Sequence, residues 1–231
     1  MIDIMAIGAH PDDVEIGVGG ILANYKNTDV KTMIVDLTRG EMGTNGTPEI
    51  RRGEGLKAAE ILGAKRVVVG LPDGKIQVDE ESLIKVIEVI REYRPKIILT
   101  HFNDDTQHPD HQNGSKLVTQ AATLAGLRKY PAQGERFRPQ KIFQFFAPRF
   151  IQPSFIIDIS SSFETKMEAL RAHESQFLSR ESGFTTNVNR FDIFDRIETS
   201  AKYYGQMIGA KYGEALFYKG VLSFDNILNI K

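Results

Sequence analysis

The segment Ile2-Asp3-Ile4-Met5-Ala6-Ile7-Gly8, followed at once by Ala9-His10-Pro11-Asp12-Asp13, decides the fold class. A mostly apolar run of strand length enters a polar turn, and an amphipathic stretch follows it. The same order of a short apolar run and a longer amphipathic one repeats along the chain. Such alternation predicts a mostly parallel sheet with helices on both faces.

The alternation predicts six strands and six helices. The strands cover residues 2–8, 31–38, 66–70, 96–101, 141–147 and 154–159, and the helices cover residues 16–26, 48–62, 80–93, 112–127, 161–174 and 190–208. We expect a Rossmann-like α/β fold in a single domain over residues 1–231, with a small C-terminal elaboration or subdomain from about residue 140. Ligands of such sheets bind beyond the carboxyl ends of the strands.

The composition excludes several kinds of site and partner. The chain has five histidines and no cysteine. The absence of cysteine excludes disulfides, a thiol nucleophile and thiolate metal ligands, so a metal would need His, Asp or Glu. A net charge of −1 argues against a nucleic-acid partner. The apolar runs are far shorter than the roughly 20 residues of a membrane span. With no pattern of a secretory signal at the N-terminus, we expect a cytoplasmic location.

Two polar loops follow predicted strands of this sheet. His10, Asp12 and Asp13 follow the first strand, and residues 101–111, which include His108 and His111, follow the fourth. Capping of a helix by a carboxylate would explain the first loop alone, but two such loops favour a shared metal site. Two His and one Asp suit Zn²⁺ with a position left for water, while a spare carboxylate and a spare His could move protons. The spacing leaves the individual roles open.

A glycine cluster suggests an alternative of another class. Gly17-Val18-Gly19-Gly20 after a strand, with Asp36 at the end of the next one, is similar to a dinucleotide site. The third glycine of that pattern is missing because Leu22 stands in its place. Close packing of a helix on the sheet is the favoured interpretation, and a non-catalytic nucleotide-binding module of the Rossmann type is the alternative.

The two polar loops resemble a known family. Ala9-His10-Pro11-Asp12-Asp13 and His108-Pro109-Asp110-His111 resemble the paired motifs of the LmbE-like zinc N-deacetylases, which act on N-acetylglucosaminyl compounds. Further similar segments follow in the same order along the whole chain: residues 40–44, 71–74, 174–176 and 212–215. A finer similarity, at residues 45–51, 125–130 and 155–160, is to the bacillithiol-biosynthesis deacetylases of N-acetylglucosaminyl-malate.

The resemblance implies a role for each motif residue. It implies zinc ligation by His10, Asp13 and His111 and a general base at Asp12. It also implies that His108 is an oxyanion stabiliser or general acid and that Asp110 orients the ring of His108. It also implies sugar contacts from Arg51 and Asp73. Arg128, near the end of a predicted helix, is a candidate for binding the malate carboxylates.

Several implications of the resemblance leave alternatives open. The product would be acetate and a free amine, from a small-molecule substrate in which the aglycone is malate, a second sugar as in chitobiose, or a lipid. Relatives of this family form multimers, so we expect a homo-oligomer. A site of two His and one carboxylate also suits Fe(II). Gln107 stands where close relatives often carry Arg, residues 190–194 lack the tyrosine of some relatives, and His101 and His173 have no assigned role.

Overall fold

The structure is a computed structural model and describes residues 1–104, 107–145, 152–177, 192–224 and 226. These residues form a seven-stranded sheet in the order β3-β2-β1-β4-β5-β7-β6. Its strands are β1 (Ile4–Gly8), β2 (Thr32–Asp36), β3 (Lys65–Val68), β4 (Ile97–His101), β5 (Lys141–Phe145), β6 (Phe155–Asp158) and β7 (Gly213–Phe217). The first five strands in this order are parallel to one another, and β7 is antiparallel to β5 and β6. The predicted, mostly parallel α/β fold is confirmed.

Helices cover both faces of the sheet. They are α1 (Asp13–Ala23), α2 (Pro48–Leu62), α3 (Glu80–Tyr93), α4 (Pro109–Leu124), α5 (Phe163–Arg171), α6 (Glu174–Phe177) and α7 (Ile193–Met207). Apolar residues of α1, α2 and α5, among them Leu22, Leu62 and Leu170, form a buried core on one face. Residues of α3 and α4, among them Ile90 and Leu117, form a second core on the other face. The two cores bury the near-continuous apolar strands from both sides.

The predicted bounds hold best where local signals are strong. The bounds of α2 and α3 are the predicted ones, and the side chains of Thr47 and Asp79 cap these helices by accepting from backbone N–H groups. Helices α1 and α4 begin three residues earlier than predicted, at Asp13 and Pro109. Asp13, Asp110 and His111 therefore lie in the first turns of these helices, whereas His10 and Asp12 lie in the loop before α1.

Three other predictions differ from the structure or extend beyond it. The helix predicted over 161–174 is divided into α5 and the short α6, and β7 was not predicted. The predicted ends of a strand at residues 146–147 and of a helix at residues 190–191 lie outside the described residues. The single-domain interpretation stays a prediction. Within the described ranges, no helix combines the length and the apolar character that a membrane span needs.

A buried ion pair supports a break in α1. The backbone of Val18 leaves the helical conformation at φ −142°. The carboxylate of Glu214, on β7, accepts from the N–H groups of Gly20 and Ile21 at 2.9 and 2.7 Å. Lys166 of α5 donates to the carbonyl of Ile16 at 2.8 Å and pairs with Glu214 at 2.5 Å. The pair thus provides partners for backbone groups at the break, which would otherwise be buried without any.

The glycine cluster packs helix against sheet, as favoured above. A Cβ added at Gly17 would lie 2.3 Å from the ring of Phe145, and one at Gly20 would lie 2.7 Å from Ile159. Asp36 is buried and accepts two hydrogen bonds from Arg66, at 2.6 and 2.8 Å. The cluster lies inside α1 and the carboxylate is already paired, so neither feature is free to bind a dinucleotide.

Candidate metal centre

The sheet order brings the two polar loops together. Strands β1 and β4 are parallel neighbours, with Ile7 opposite Thr100, so their carboxyl ends lie side by side. The loop of residues 9–12 leads from β1 into α1, and α4 begins shortly after β4. A Cβ at Gly8 would lie 2.9 Å from the Cβ of Asp13, so glycine is needed where the first turn of α1 approaches the strand.

The three predicted ligands meet in this crevice. His10, Asp13 and His111 each offer one ligand atom, and the three atoms lie within 4.8 Å of one another. His111 Nε2 lies 3.2 Å from Asp13 Oδ1, and His10 Nδ1 lies 3.5 Å from Asp13 Oδ2. Tetrahedral bonds of about 2.0–2.2 Å would place ligand atoms about 3.3–3.6 Å apart. The spacing of these side chains therefore fits a small divalent cation.

The charge around His10 also favours a cation. Its Nε2 lies 3.0 Å from Asp73 Oδ1 and 3.3 Å from Asp110 Oδ2. Burial would lower the pKa of His10, but hydrogen bonds with Asp110, Asp13 and Asp73 raise it to about 12. A metal-binding His commonly donates its other N–H to a carboxylate. Nε2 thus contacts the carboxylates of Asp73 and Asp110, and Nδ1 remains available to bind a metal beside Asp13.

A second group of three candidate ligands shares His10. It consists of His10, His108 and Asp110. The carboxylate of Asp110 already accepts from the backbone N–H groups of Gly74 and Ile76, at 2.7 and 3.1 Å. Asp110 therefore fixes the loop after β3 and the ring of His10, and the group around Asp13 is the better metal site.

Asp12 has an unusual backbone and a carboxylate that does not cap its helix. It stands at the N-cap position of α1 with φ 119°, and its side chain makes no capping hydrogen bond. Positive φ is costly for a residue with a Cβ, and such strain concentrates at functional sites. Burial raises the pKa of Asp12 to about 6, even though the nearby Arg51 lowers it. A carboxyl group with a pKa near neutrality can both take and return a proton.

His108 lies at the outer side of the cluster. It is the N-cap residue of α4, and its Nδ1 accepts from the backbone N–H of Asp110 at 3.2 Å. A neutral His108 therefore carries its proton on Nε2. Burial and then the charges of His10 and His111 lower its pKa. The contact that orients the ring comes from the backbone of Asp110, whereas the resemblance had suggested an orienting residue without saying which atom acts.

Of the predicted substrate-contacting residues, Arg51 and Asp73 lie at the cluster and Arg128 lies away from it. Arg51 is buried and donates to the carbonyls of Gly40 and Pro11, at 2.9 and 2.8 Å, which links the loops after β1 and β2. Arg128 lies beyond the far end of α4, a helix whose length of about 24 Å separates it from the cluster. The structure therefore brings these predicted site residues together: His10, Asp12, Asp13, Arg51, Asp73, His108, Asp110 and His111. Arg128 is the exception.

His101 contacts the cluster, a role that the sequence left open. It is buried, its Nε2 lies 3.0 Å from Asp13 Oδ2, and its ring stacks on His111 with centroids 4.2 Å apart. Burial lowers its pKa to about 4, so it contacts both candidate ligands as a neutral ring. The signal in the sequence is its position at the end of β4, the strand next to β1.

A second buried polar group lies behind the cluster. His173 Nε2 is 3.2 Å from Glu15, which also pairs with Arg66 at 2.5 Å. Burial would raise the pKa of Glu15, but Arg66 and then His173 lower it to about 2. These contacts join distant parts of the chain, so no local pattern predicts them.

Gln107 and residues 190–194, where the sequence departs from the family pattern, add no described contact to the cluster. Both polar side-chain atoms of Gln107 are buried without a hydrogen-bond partner among the described residues. Asp105 and Thr106, and also residues 190 and 191 of the segment searched for a tyrosine, lie outside the described residues.

Comparison with known proteins supports a common origin. A family model described as "PIG-L: GlcNAc-PI de-N-acetylase" matches residues 5–122, which contain both polar loops. Diacetylchitobiose deacetylase of Thermococcus kodakarensis is 30% identical over 242 aligned positions, which cover 94% of this chain and 84% of that protein. A probable N-acetyl-α-D-glucosaminyl L-malate deacetylase 2 of Bacillus subtilis is 27% identical, covering 75% of this chain and 82% of that protein. The crystal structure of a conserved protein from Thermus thermophilus matches with a TM-score of 0.87 and 35% identity over 97% of each chain.

Proposed function

This chain belongs to the PIG-L (GlcNAc-PI de-N-acetylase) family, and from that membership we propose that it is a zinc enzyme that deacetylates N-acetylglucosaminyl-malate. Deacetylation of an N-acetylglucosamine-containing compound is the activity that the family and the named relatives share. Zinc, malate and the roles of individual residues are the parts that we propose.

The observation that carries the proposal is the meeting of His10, Asp13 and His111 beside the carboxylate of Asp12, which makes no capping hydrogen bond. These three side chains would hold the metal. A bound Zn²⁺ would supply Lewis acidity towards the acetamide carbonyl and its attacking water. Asp12 takes a proton from that water as the new C–O bond forms. It returns the proton to the sugar nitrogen as the C–N bond breaks, so that one water and one amide give a free amine and acetic acid, which ionises to acetate.

His108 serves the oxygen of the acetamide. With Nδ1 occupied by the N–H of Asp110, its Nε2–H is left to donate to the carbonyl oxygen as negative charge develops there. Loss of one such donor typically lowers kcat by about 10²–10³-fold. Arg51 and Asp73 would contact the sugar from the loops that they hold in place, and Arg128 is too distant to take part.

The aglycone is proposed from relatives rather than from a contact. Malate is supported by the name of the B. subtilis relative and by the finer similarity at residues 45–51, 125–130 and 155–160. Chitobiose is the second candidate, because the T. kodakarensis relative shares more identity and more coverage. A part in bacillithiol biosynthesis, a cytoplasmic location and a homo-oligomeric state belong to the same proposal and rest on the same resemblance.

A substrate panel tests the proposal. Metal-loaded protein is incubated with N-acetylglucosaminyl-malate, diacetylchitobiose or N-acetylglucosamine, and acetate release is measured, with the Asp12→Asn variant as the blank for contaminating activity. We expect the malate compound to have the highest kcat/KM. Faster turnover of diacetylchitobiose would show that chitobiose, and not the malate compound, is the preferred substrate, and the proposed deacetylation mechanism would be unaffected. No acetate from any compound, with folded and metal-loaded protein, would refute the proposed function.

A further inference from the structure

A large cleft adjoins the metal centre without belonging to it. It lies between α2 and the carboxyl ends of β2 and β3, and its volume is about 510 Å³. Pockets for small molecules typically measure about 300–1,000 Å³. Arg51 and Pro11 line the cleft, and Arg51 also contacts Asp12. Open α/β sheets bind ligands at this edge, yet Arg51 is the one residue of the cleft to which the function proposed above gives a role.

Two of the arginines that line the cleft are neutralised or held by the protein. Arg66 is buried in ion pairs with Asp36 and Glu15. Arg51 is buried, and its terminal nitrogens donate hydrogen bonds to two backbone carbonyls and, at 3.4 Å, to Asp12. Most of the hydrogen-bonding capacity of both guanidinium groups is thus used by the protein itself, so an anion in the cleft would need other cations.

The other two arginines of the wall are exposed. Arg39 and Arg52 make no ion pair within the part of the chain that the structure describes, although both line the cleft. The exposed acid of this wall is Glu49. Hydrogen bonds with its own backbone and with Thr47 lower its pKa, and the charge of Arg39 adds a smaller effect, so its carboxylate is engaged at the start of α2. The cleft therefore presents two guanidinium groups that no described carboxylate contacts directly.

Apolar side chains complete the wall. Leu56 of α2 is 49% exposed and Val68 of β3 is 39% exposed, and both line the cleft together with Val67 and Val69. Exposed apolar groups beside arginines without an ion pair suit a ligand with a short apolar body and an anionic group, because the ligand covers the former and pairs with the latter.

We propose that this cleft binds a small organic anion through Arg39 and Arg52, with its apolar part against Leu56 and Val68. The anionic group is a carboxylate or a phosphate. The ligand is either the anionic aglycone of the sugar substrate or a free acid that binds beside it. Binding of a free acid does not depend on the proposed function, whereas the aglycone version does.

Isothermal titration calorimetry tests the site directly. L-malate and inorganic phosphate are each titrated into the metal-loaded protein, the Arg39→Gln/Arg52→Gln variant and a control, Lys129→Gln/Arg136→Gln. The control removes the same two positive charges from exposed positions after α4. We expect at least one anion to bind the unaltered protein and the control equally, and the cleft variant at least tenfold more weakly. Unchanged binding in the cleft variant, or no binding to the unaltered protein up to about 10 mM, would overturn the proposal.

Kinetics then identify the source of the anion. If the cleft receives the aglycone, the cleft variant raises KM for N-acetylglucosaminyl-malate at least tenfold and leaves diacetylchitobiose unchanged. If it receives a free acid, both substrates behave as in the control while the anion affinity is lost. If neither compound is deacetylated by any form of the protein, the proposed function fails, and the calorimetry still decides whether the cleft binds anions.

Discussion

Asp12 combines a strained backbone with a carboxylate that no capping bond engages. Such strain is retained only where the residue is needed, because glycine would relieve it. We expect Asp12→Gly to be more stable than Asp12→Ala by about 1 kcal/mol, since only glycine accepts φ 119° without cost. Urea unfolding of both variants measures the difference. At an unstrained helical position alanine would be the more stable of the two, so that order here would contradict the account.

His101 is expected to act on the metal through Asp13. Its ring holds the carboxylate of Asp13 and stacks on His111, so its loss should weaken metal binding about 10–100-fold. Competition with a chelator measures the affinity of His101→Leu. His101→Gln is the matched control, because its amide can still donate to Asp13, and it should recover part of the affinity. Equal affinities in the unaltered protein and the leucine variant would show that His101 is only a packing residue.

At the level of single residues, the sequence predicted which polar motifs would meet better than it predicted their surroundings. The meeting was foreseeable because both motifs follow strands of one parallel sheet. The choice of His10, Asp13 and His111 as ligands came from the family resemblance and stays a prediction. The double contact of His10 with Asp73 and Asp110 was not foreseeable, because it depends on how the loop after β3 folds back over the sheet.

Helix α1 shows how tightly an element can be fitted to the sheet. A Cβ at Gly17 would overlap the ring of Phe145, whereas one at Gly53, on the surface of α2, would meet no atom within 4 Å. We expect Gly17→Ala to destabilise the protein by about 1–3 kcal/mol through overpacking. Gly53→Ala should stabilise it by about 0.5–1 kcal/mol by favouring the helical backbone. Thermal unfolding compares the two. Destabilisation of equal size in both variants would show that packing against Phe145 does not matter.

Among the elements, β7 marks the limit of local patterns. Glu214 interrupts the apolar run of Gly213–Phe217, and a charged residue at that place argues against a buried strand. The structure resolves the conflict with Lys166, which lies 48 residues earlier in the chain and pairs with it. By contrast, the capping residues of α2 and α3, Thr47 and Asp79, directly precede these helices in the sequence, and the bounds of both helices were predicted correctly.

For the whole molecule, the sheet order assembles the centre, and the direction of α4 separates Arg128 from it. Parallel pairing of β1 with β4 brings the two motifs to one crevice. The direction of α4 carries Arg128 away from that crevice, a consequence that the helical pattern alone did not reveal. The cleft beside α2 likewise exists only once β2, β3 and α2 are in place.

We propose that Asp13 holds a metal while its neighbour Asp12 performs the proton transfer. Metal content, measured together with acetate release for Asp12→Asn and Asp13→Asn, tests this most directly, because the two changes are identical and adjacent. Asp12→Asn should keep a stoichiometric metal and lose about 10²–10⁴-fold in kcat, whereas Asp13→Asn should lose the metal. Loss of metal from Asp12→Asn, with metal retained in Asp13→Asn, would contradict the account.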